Sequence, residues 1–296
     1  MMRQSTYPSM RRSTRFAWLS VATLLITACA QAPSSSSETE DLQRLETALR
    51  THPVVLLGEI HDNAAQHALR ARALQSLLEG GARPALAMEQ FDRERQPAID
   101  RVMARPDATV DDLINAGSAD GRPMKGWSWP LYRPYIALAI RYHLQIVAAN
   151  VSRADAMHVI TGGLAANGFD AKVPPDIVRA QAEAIVEGHC GMLDAADAGP
   201  MAAAQAARDQ FMARVIEAHA ATGIVLLAGD GHVRRDIGVP RWLSEATRAR
   251  SVSIGLRESG DAQGAGSFDV TLATPAQERE DPCEGMRRAA SAPGGS

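Results

Sequence analysis

Short apolar runs at 54–57, 85–88, 145–149 and 224–228 are rich in Val, Ile, Leu and Ala, and each stops abruptly at a polar turn. Runs of this kind predict strands buried on both faces of a parallel sheet, because a half-exposed strand would alternate apolar with polar residues. Between them lie segments of helical periodicity at 64–79, 93–104, 131–143, 174–187 and 201–222. They are preceded by a helix at 41–50 with Leu42, Leu45 and Leu49 on one face. Strand and helix in alternation predict an α/β fold, a mostly parallel sheet flanked by helices. Two further runs, 251–257 and 268–273, alternate better and predict an antiparallel edge at the C-terminus. The stretch 167–222 exceeds what one crossover requires and reads as an inserted helical cap. There is no internal repeat, and one domain over 41–296 accounts for the pattern.

The first forty residues follow different rules. Arg3, Arg11, Arg12 and Arg15 precede an apolar run at 16–28 that is too short to span a bilayer comfortably, so residues 1–28 read as a signal peptide. The run ends Leu25-Ile26-Thr27-Ala28-Cys29, which resembles a bacterial lipobox and makes Cys29 the acylated first residue of the mature chain. Residues 29–40, with Pro33 and the serines 34–37, cannot bury apolar surface and read as a flexible tether. Ala30, rather than aspartate, follows the cysteine and points to the outer membrane of the cell envelope. Export also changes the meaning of Cys190 and Cys283, because thiols outside the cytoplasm tend to oxidise. The two are expected to pair, the alternative being a metal-ligand role for Cys190 beside His189.

Composition adds two exclusions. At 296 residues and 46% hydrophobic the chain is long enough for a full core and needs no disulfide scaffold. Its net charge is −3, and the body without its basic leader is more acidic still, which argues against nonspecific nucleic-acid binding.

The candidate chemistry sits where strands end. The first run is followed by Gly58-Glu59-Ile60-His61 and the fourth by Gly229-Asp230-Gly231-His232; both read glycine, acid, any residue, histidine. Parallel sheets collect ligands beyond the carboxyl ends of their strands, so both pairs are expected on one rim. Glu89 joins them at the end of the second run, with His189 and Arg234 as neighbours, while Asn150 and Arg153 follow the third. Carboxylate with imidazole suits a divalent metal, held by Glu59, His61, Glu89, Asp230 and His232, or a water activated by a general base. Read singly, each acid could be a helix N-cap and each histidine a core residue; the duplication carries the site. A second cluster, Trp127, Trp129, Tyr132 and Tyr135 around Pro130, Arg133 and Pro134, stands out in a chain only 4% aromatic. It reads either as the lining of a pocket for a flat hydrophobic ligand or as tyrosines plugging the helix–sheet interface. His143 and His158 show no partner pattern and are taken as surface or structural residues.

Several motifs now occur in order: Gly58-Glu59-Ile60-His61-Asp62-Asn63 with His67, Met88-Glu89-Gln90-Phe91, Trp127-Ser128-Trp129-Pro130-Leu131-Tyr132-Arg133-Pro134, Ala149-Asn150-Val151-Ser152-Arg153, His189-Cys190-Gly191, the segment from Ala206 to Ala213, and Ala228-Gly229-Asp230-Gly231-His232-Val233-Arg234 with Gly238-Val239-Pro240. Over 54–240 the chain resembles the ChaN-like haem-binding lipoproteins of the wider Tiki/TraB group. The resemblance implies haem binding linked to iron uptake, dimerisation around the cofactor and delivery to a haem-uptake machinery. Tyr132 and Tyr135 are then the phenolate candidates for ferric iron, with Arg133 for a propionate and Trp129 against the ring. In some branches of the group the paired motifs are associated with metal-dependent hydrolysis. That gives the alternative function, a hydrolase using Glu59, Glu89 and His232. The reading is of a membrane-anchored haem-binding lipoprotein of the bacterial envelope.

Overall fold

The computed structural model describes residues 35–118, 126–260 and 266–291; the leader, Cys29 and the tether up to residue 34 lie outside them. Six strands, β1 (Val54–Leu57), β2 (Ala85–Asp92), β3 (Ile146–Asn150), β4 (Ile224–Leu227), β5 (Ser251–Glu258) and β6 (Val270–Thr274), form one sheet in the order β3-β2-β4-β1-β5-β6. The helices are α1 (Ser35–Thr51), α2 (Ala64–Glu79), α3 (Gln96–Met103), α4 (Val110–Ala116), α5 (Trp129–Arg141), α6 (Arg153–Gly162), α7 (Pro175–Gly188), α8 (Ala195–His219), α9 (Asp230–Val233), α10 (Glu245–Arg248) and α11 (Pro282–Ser291).

β1 and β4 are apolar throughout, as is β2 up to Met88, because both of their faces are covered. Val55 and Leu57 of β1 pack with Leu74 of α2, Tyr135 of α5 and Leu45 of α1, whereas Val54 and Leu56 pack with Met212 and Ile216 of α8. Helix α2 has the limits its periodicity predicts, and Asn63 caps it by accepting from the Gln66 amide at 3.0 Å.

Three expectations change. All the strands are parallel, including the C-terminal pair, in which Ile254 lies opposite Val270 and Glu258 opposite Thr274. The antiparallel edge is therefore corrected: a hairpin closes with about two to five residues, and the connection from Glu258 to Val270 is long enough to return to the start of β5. Residues 35–40, read as tether, are the first turns of α1, where acidic Glu38 favours the helix N-terminus and pairs with Arg72 of α2. The cap divides in two: the second half of α8 is an ordinary crossover helix on the sheet, and only its first half and α7 stand away from it.

Candidate functional site

β1 and β4 are neighbours in register, Val54 opposite Ile224 and Leu57 opposite Leu227, and β2 joins them with Met88 opposite Leu227. β1 and β4 thus end at one level, beside Met88 of β2. The chain leaves β1 toward the α2 face and β4 toward the α8 face, which opens a crevice between the two strand ends. Gly58 and Gly229 allow that crevice to close tightly. A Cβ on Gly58 would meet Asp230 Oδ1 at 2.1 Å, and one on Gly229 would stand 2.9 Å from His61 Cε1 and 3.0 Å from its Nε2. Glu89 falls where the β2–β3 register shifts between Met88 and Asp92, an irregularity of the kind that re-aims a side chain.

Glu59 is buried and accepts from three donors. Tyr132 donates its hydroxyl to Oε1 at 2.5 Å, His61 Nδ1 lies 2.8 Å from the same oxygen, and the fully buried Arg70 pairs with Oε2 while also donating to the Leu57 carbonyl at 3.1 Å. His67 donates from Nε2 to the His61 carbonyl at 3.1 Å, and burial lowers its pKa to about 4, so it stays neutral. The His61 side chain remains 47% exposed, with Trp127 edge-on to its ring at 4.7 Å.

A second acid–imidazole pair faces the first. His232 donates from Nδ1 to Asp209 Oδ1 at 2.6 Å, and its Nε2 lies 3.5 Å from Glu89 Oε1. Glu89 also accepts from the Gly229 amide at 2.7 Å, and Gln181 of α7 donates to Asp209 at 2.9 Å. Burial opposes the charge on His232, yet Glu89 and Asp209 raise its pKa to about 10; burial likewise opposes the Glu89 carboxylate, which His232 brings down to about 2. His232 is an imidazolium between two carboxylates.

The structure brings Glu59, His61, Glu89, Asp230 and His232 to one rim, but not into one ligand set. Asp230 turns to β5, accepting from the Leu256 amide at 3.3 Å with Arg257 at 3.4 Å, and burial raises its pKa to about 6. Among the described residues no three His, Cys, Asp or Glu side chains are placed to hold a metal ion.

The aromatic segment is also placed differently from the ligand reading. Tyr132 and Tyr135 are fully buried, with hydroxyls on Glu59 and on the His67 carbonyl at 3.0 Å. Trp129 stacks on Phe91 at 5.7 Å, and Arg133 pairs with Asp111 on the surface. The assignment of Tyr132, Tyr135, Trp129 and Arg133 to a ligand pocket is corrected, because helical spacing turns both rings toward the sheet. Trp127 meets the rim at the His61 ring, and Tyr132 meets it from below through Glu59.

Over Gly229 opens a cavity of about 480 Å³, walled by Ile60 and His61 after β1, His232 and Ile237 after β4, and Ile185 and His189 of the cap. Cys190, next to His189, is joined to Cys283 by a disulfide. Arg70, Asp209, Gln181 and the partnership of His67 were not assigned from the sequence. Their signal is a polar residue within an apolar helical stripe: Arg70 beside Leu69, Ala73 and Leu74, and Asp209 in line with Ala202, Ala206 and Ala213.

The profile of the family described as "Haem-binding uptake, Tiki superfamily, ChaN" matches residues 45–243. Among solved structures, the cofacial haem complex of ChaN from Campylobacter jejuni superposes with a TM-score of 0.64 at 20% identity, covering 79% of this chain and 90% of that one. The type III effector HopBA1 gives 0.47 at 14% identity, covering 80% and 94%. A mutant of the erythromycin esterase EreC gives 0.41 at 13% identity, covering 84% and 83%. No curated protein matches the chain.

Proposed function

This chain belongs to the ChaN family of haem-binding uptake proteins in the Tiki superfamily, and from that premise we propose that it binds haem in the cavity over Gly229, with His61 as the protein's iron ligand. One observation carries the reading: His61 Nδ1 is engaged by Glu59 at 2.8 Å, which leaves Nε2 as the donor atom, beside Gly229 at the cavity. A histidine ligand whose other nitrogen is held by a carboxylate is fixed in tautomer and orientation, and its basicity is raised. The cavity fits the group in other respects. About 480 Å³ lies within the range of cofactor sites, and Ile60, Ile185 and Ile237 offer apolar contact to a flat ring. Haem, when bound, would supply an iron for which His61 offers a nitrogen donor. Arg70 pairs with Glu59, Glu59 aims His61, and Trp127 packs edge-on against the imidazole ring.

Cys29 then carries the lipid that holds the protein at the outer membrane, and the domain passes haem to an uptake machinery in the envelope. Cofacial binding, the property for which the Campylobacter protein is described, needs two haems in contact. Two copies of a half-open cavity supply that, so the assembly is a homodimer around its cofactors. Metal-dependent hydrolysis at the same rim has less support, because Asp230 faces β5 and Glu59 is already taken by three donors.

The test is an absorbance titration of the purified protein with ferric haem. His61→Ala should weaken binding roughly tenfold or more and shift the Soret band. Tyr132→Phe should leave the band in place. The opposite pattern, a band altered by Tyr132→Phe and untouched by His61→Ala, overturns the ligand assignment.

A further inference from the structure

We propose that the Cys190–Cys283 disulfide is a redox latch: closed, it ties the cap to the rim through the C-terminal strap, and on reduction by a dithiol it frees the cap to swing away from the cavity. The latch acts on the cavity itself, whatever ligand occupies it.

Beyond β6 the chain runs as a strap that is seated on the loop carrying His61. The Pro275 carbonyl accepts from Asn63 at 3.0 Å, and Gln277 accepts from the Ala64 amide at 3.1 Å while donating its own amide to Glu258 at 3.1 Å. Arg279 then pairs with Asp62 at 2.9 Å and with Glu258 at 2.7 Å. Four residues further on, Cys283 is bonded to Cys190, which follows His189. Ile60 and His61 form one wall of the cavity and Ile185 and His189 another, so the strap is a tie between two walls. Four residues of chain reach about 14 Å at most, and the closed bridge holds its two Cα atoms 5.5 Å apart. With both ends fastened, the walls cannot part beyond that span.

Cys190 occupies the position that ends α7. Its amide donates to the Glu187 carbonyl at 2.8 Å, and the next amide, of Gly191, donates to the Val186 carbonyl at 2.9 Å, the pair of bonds by which a helix closes through a left-handed residue. Glycine is the usual occupant because a Cβ is disfavoured there, yet this chain has a cysteine with φ of 60°. Local preference opposes cysteine at this turn, and the bridge to Cys283 is what the residue supplies in return. Both cysteines are only half-buried, so a thiolate from solution can reach the sulfur pair.

Apart from the latch, the cap is lightly held. Its own buried core is Ile185 with Ala198 and Ala202, a small apolar area. Helix α7 packs mainly on α8 and meets the body through Gln181, which donates to Asp209 and to the Ile237 carbonyl, and through Asp176 with Arg241 at the surface. Reduction is a two-electron exchange. One thiolate of the dithiol attacks a sulfur of the bridge and forms a mixed disulfide, the second thiolate displaces it, and the reagent leaves as a cyclic disulfide while Cys190 and Cys283 become thiols. The strap then keeps its seat on Asp62 and Glu258, and the cap loses its tie to the rim.

Hydrogen–deuterium exchange of the purified protein, read by mass spectrometry with and without dithiothreitol, tests the latch. Reduction should speed exchange in α7 roughly tenfold or more relative to any change in the β-strands. Cys190→Gly, which suits the left-handed turn and removes the bridge, should show the same opening without reductant and no further response to it. Arg279→Gln, which frees the other end of the strap and leaves the disulfide intact, should loosen 275–281 and α7 together. A bridge that dithiothreitol leaves intact in the folded protein overturns the latch. Acceleration in α7 no greater than in the β-strands overturns it as well, and makes the disulfide a general staple. An Arg279→Gln protein in which 275–281 loosens and α7 does not overturns the tie between the walls.

Discussion

His232 donates from Nδ1 to Oδ1 of Asp209 at 2.6 Å, which fastens the turn after β4 to the middle of α8. The bond joins a strand-end motif to a helix whose exposed neighbours give no hint of it. It also fixes the charge of the rim, since Glu89 and Asp209 together keep His232 protonated.

Removing one partner of this buried pair leaves a charge without compensation. Asp209→Ala should cost about 3–5 kcal/mol of stability, measurable as a lowered midpoint in chemical denaturation. A midpoint unchanged from wild type would show that the pair is not formed.

Stability should form a dome around neutral pH. His67 has its folded pKa lowered from 6.5 to about 4, so its contribution is complete above about pH 6.5 and lost as pH falls through 4. His232 has its folded pKa raised from 6.5 to about 10, so its contribution is complete below about pH 6.5 and lost as pH rises through 10. Melting temperatures across pH 4–10 should fall at both ends. His67→Gln should flatten the acid limb, and Asp209→Asn the alkaline one.

Gly229→Ala places a methyl group against the His61 ring, within 3.0 Å of Nε2. The backbone there is extended, so the strain falls on the histidine and not on the main chain. Haem affinity should drop about tenfold or more with little change in melting temperature, which isothermal titration beside a thermal scan will separate.

The Cys190–Cys283 disulfide closes a span of 93 residues. Cys283→Ser should lower stability by about 2–4 kcal/mol, and reduction should bring the wild type to the same value. If reduced and oxidised protein denature together, the bridge contributes nothing.

Cys29→Ser should abolish incorporation of labelled fatty acid and release the protein from the membrane fraction. Recovery of wild-type protein with an uncleaved leader would rule the anchor out.

The strands and the alternation of strand with helix were legible in the chain, because a strand covered on both faces must be apolar at every position and a turn must break that run. The glycine, acid and histidine at the ends of β1 and β4 were legible for the same reason: a parallel sheet brings such ends to one side. The ordered motifs over 54–240 carried the family. What the residues become once there depended on tertiary structure. Tyr132 reads equally as ligand or core until helix α5 is docked, and docking puts its hydroxyl on Glu59. Asp230 and Glu59 share a motif position, yet one meets Arg257 and the other Arg70, because the neighbouring strand and helix differ. The direction of β6 rested on a connection whose length excludes a hairpin but whose composition names no partner. Periodicity states which face of an element is covered; which polar group waits on the covering element is settled only when the two are packed together, since a buried charge is stable only beside the partner that packing supplies.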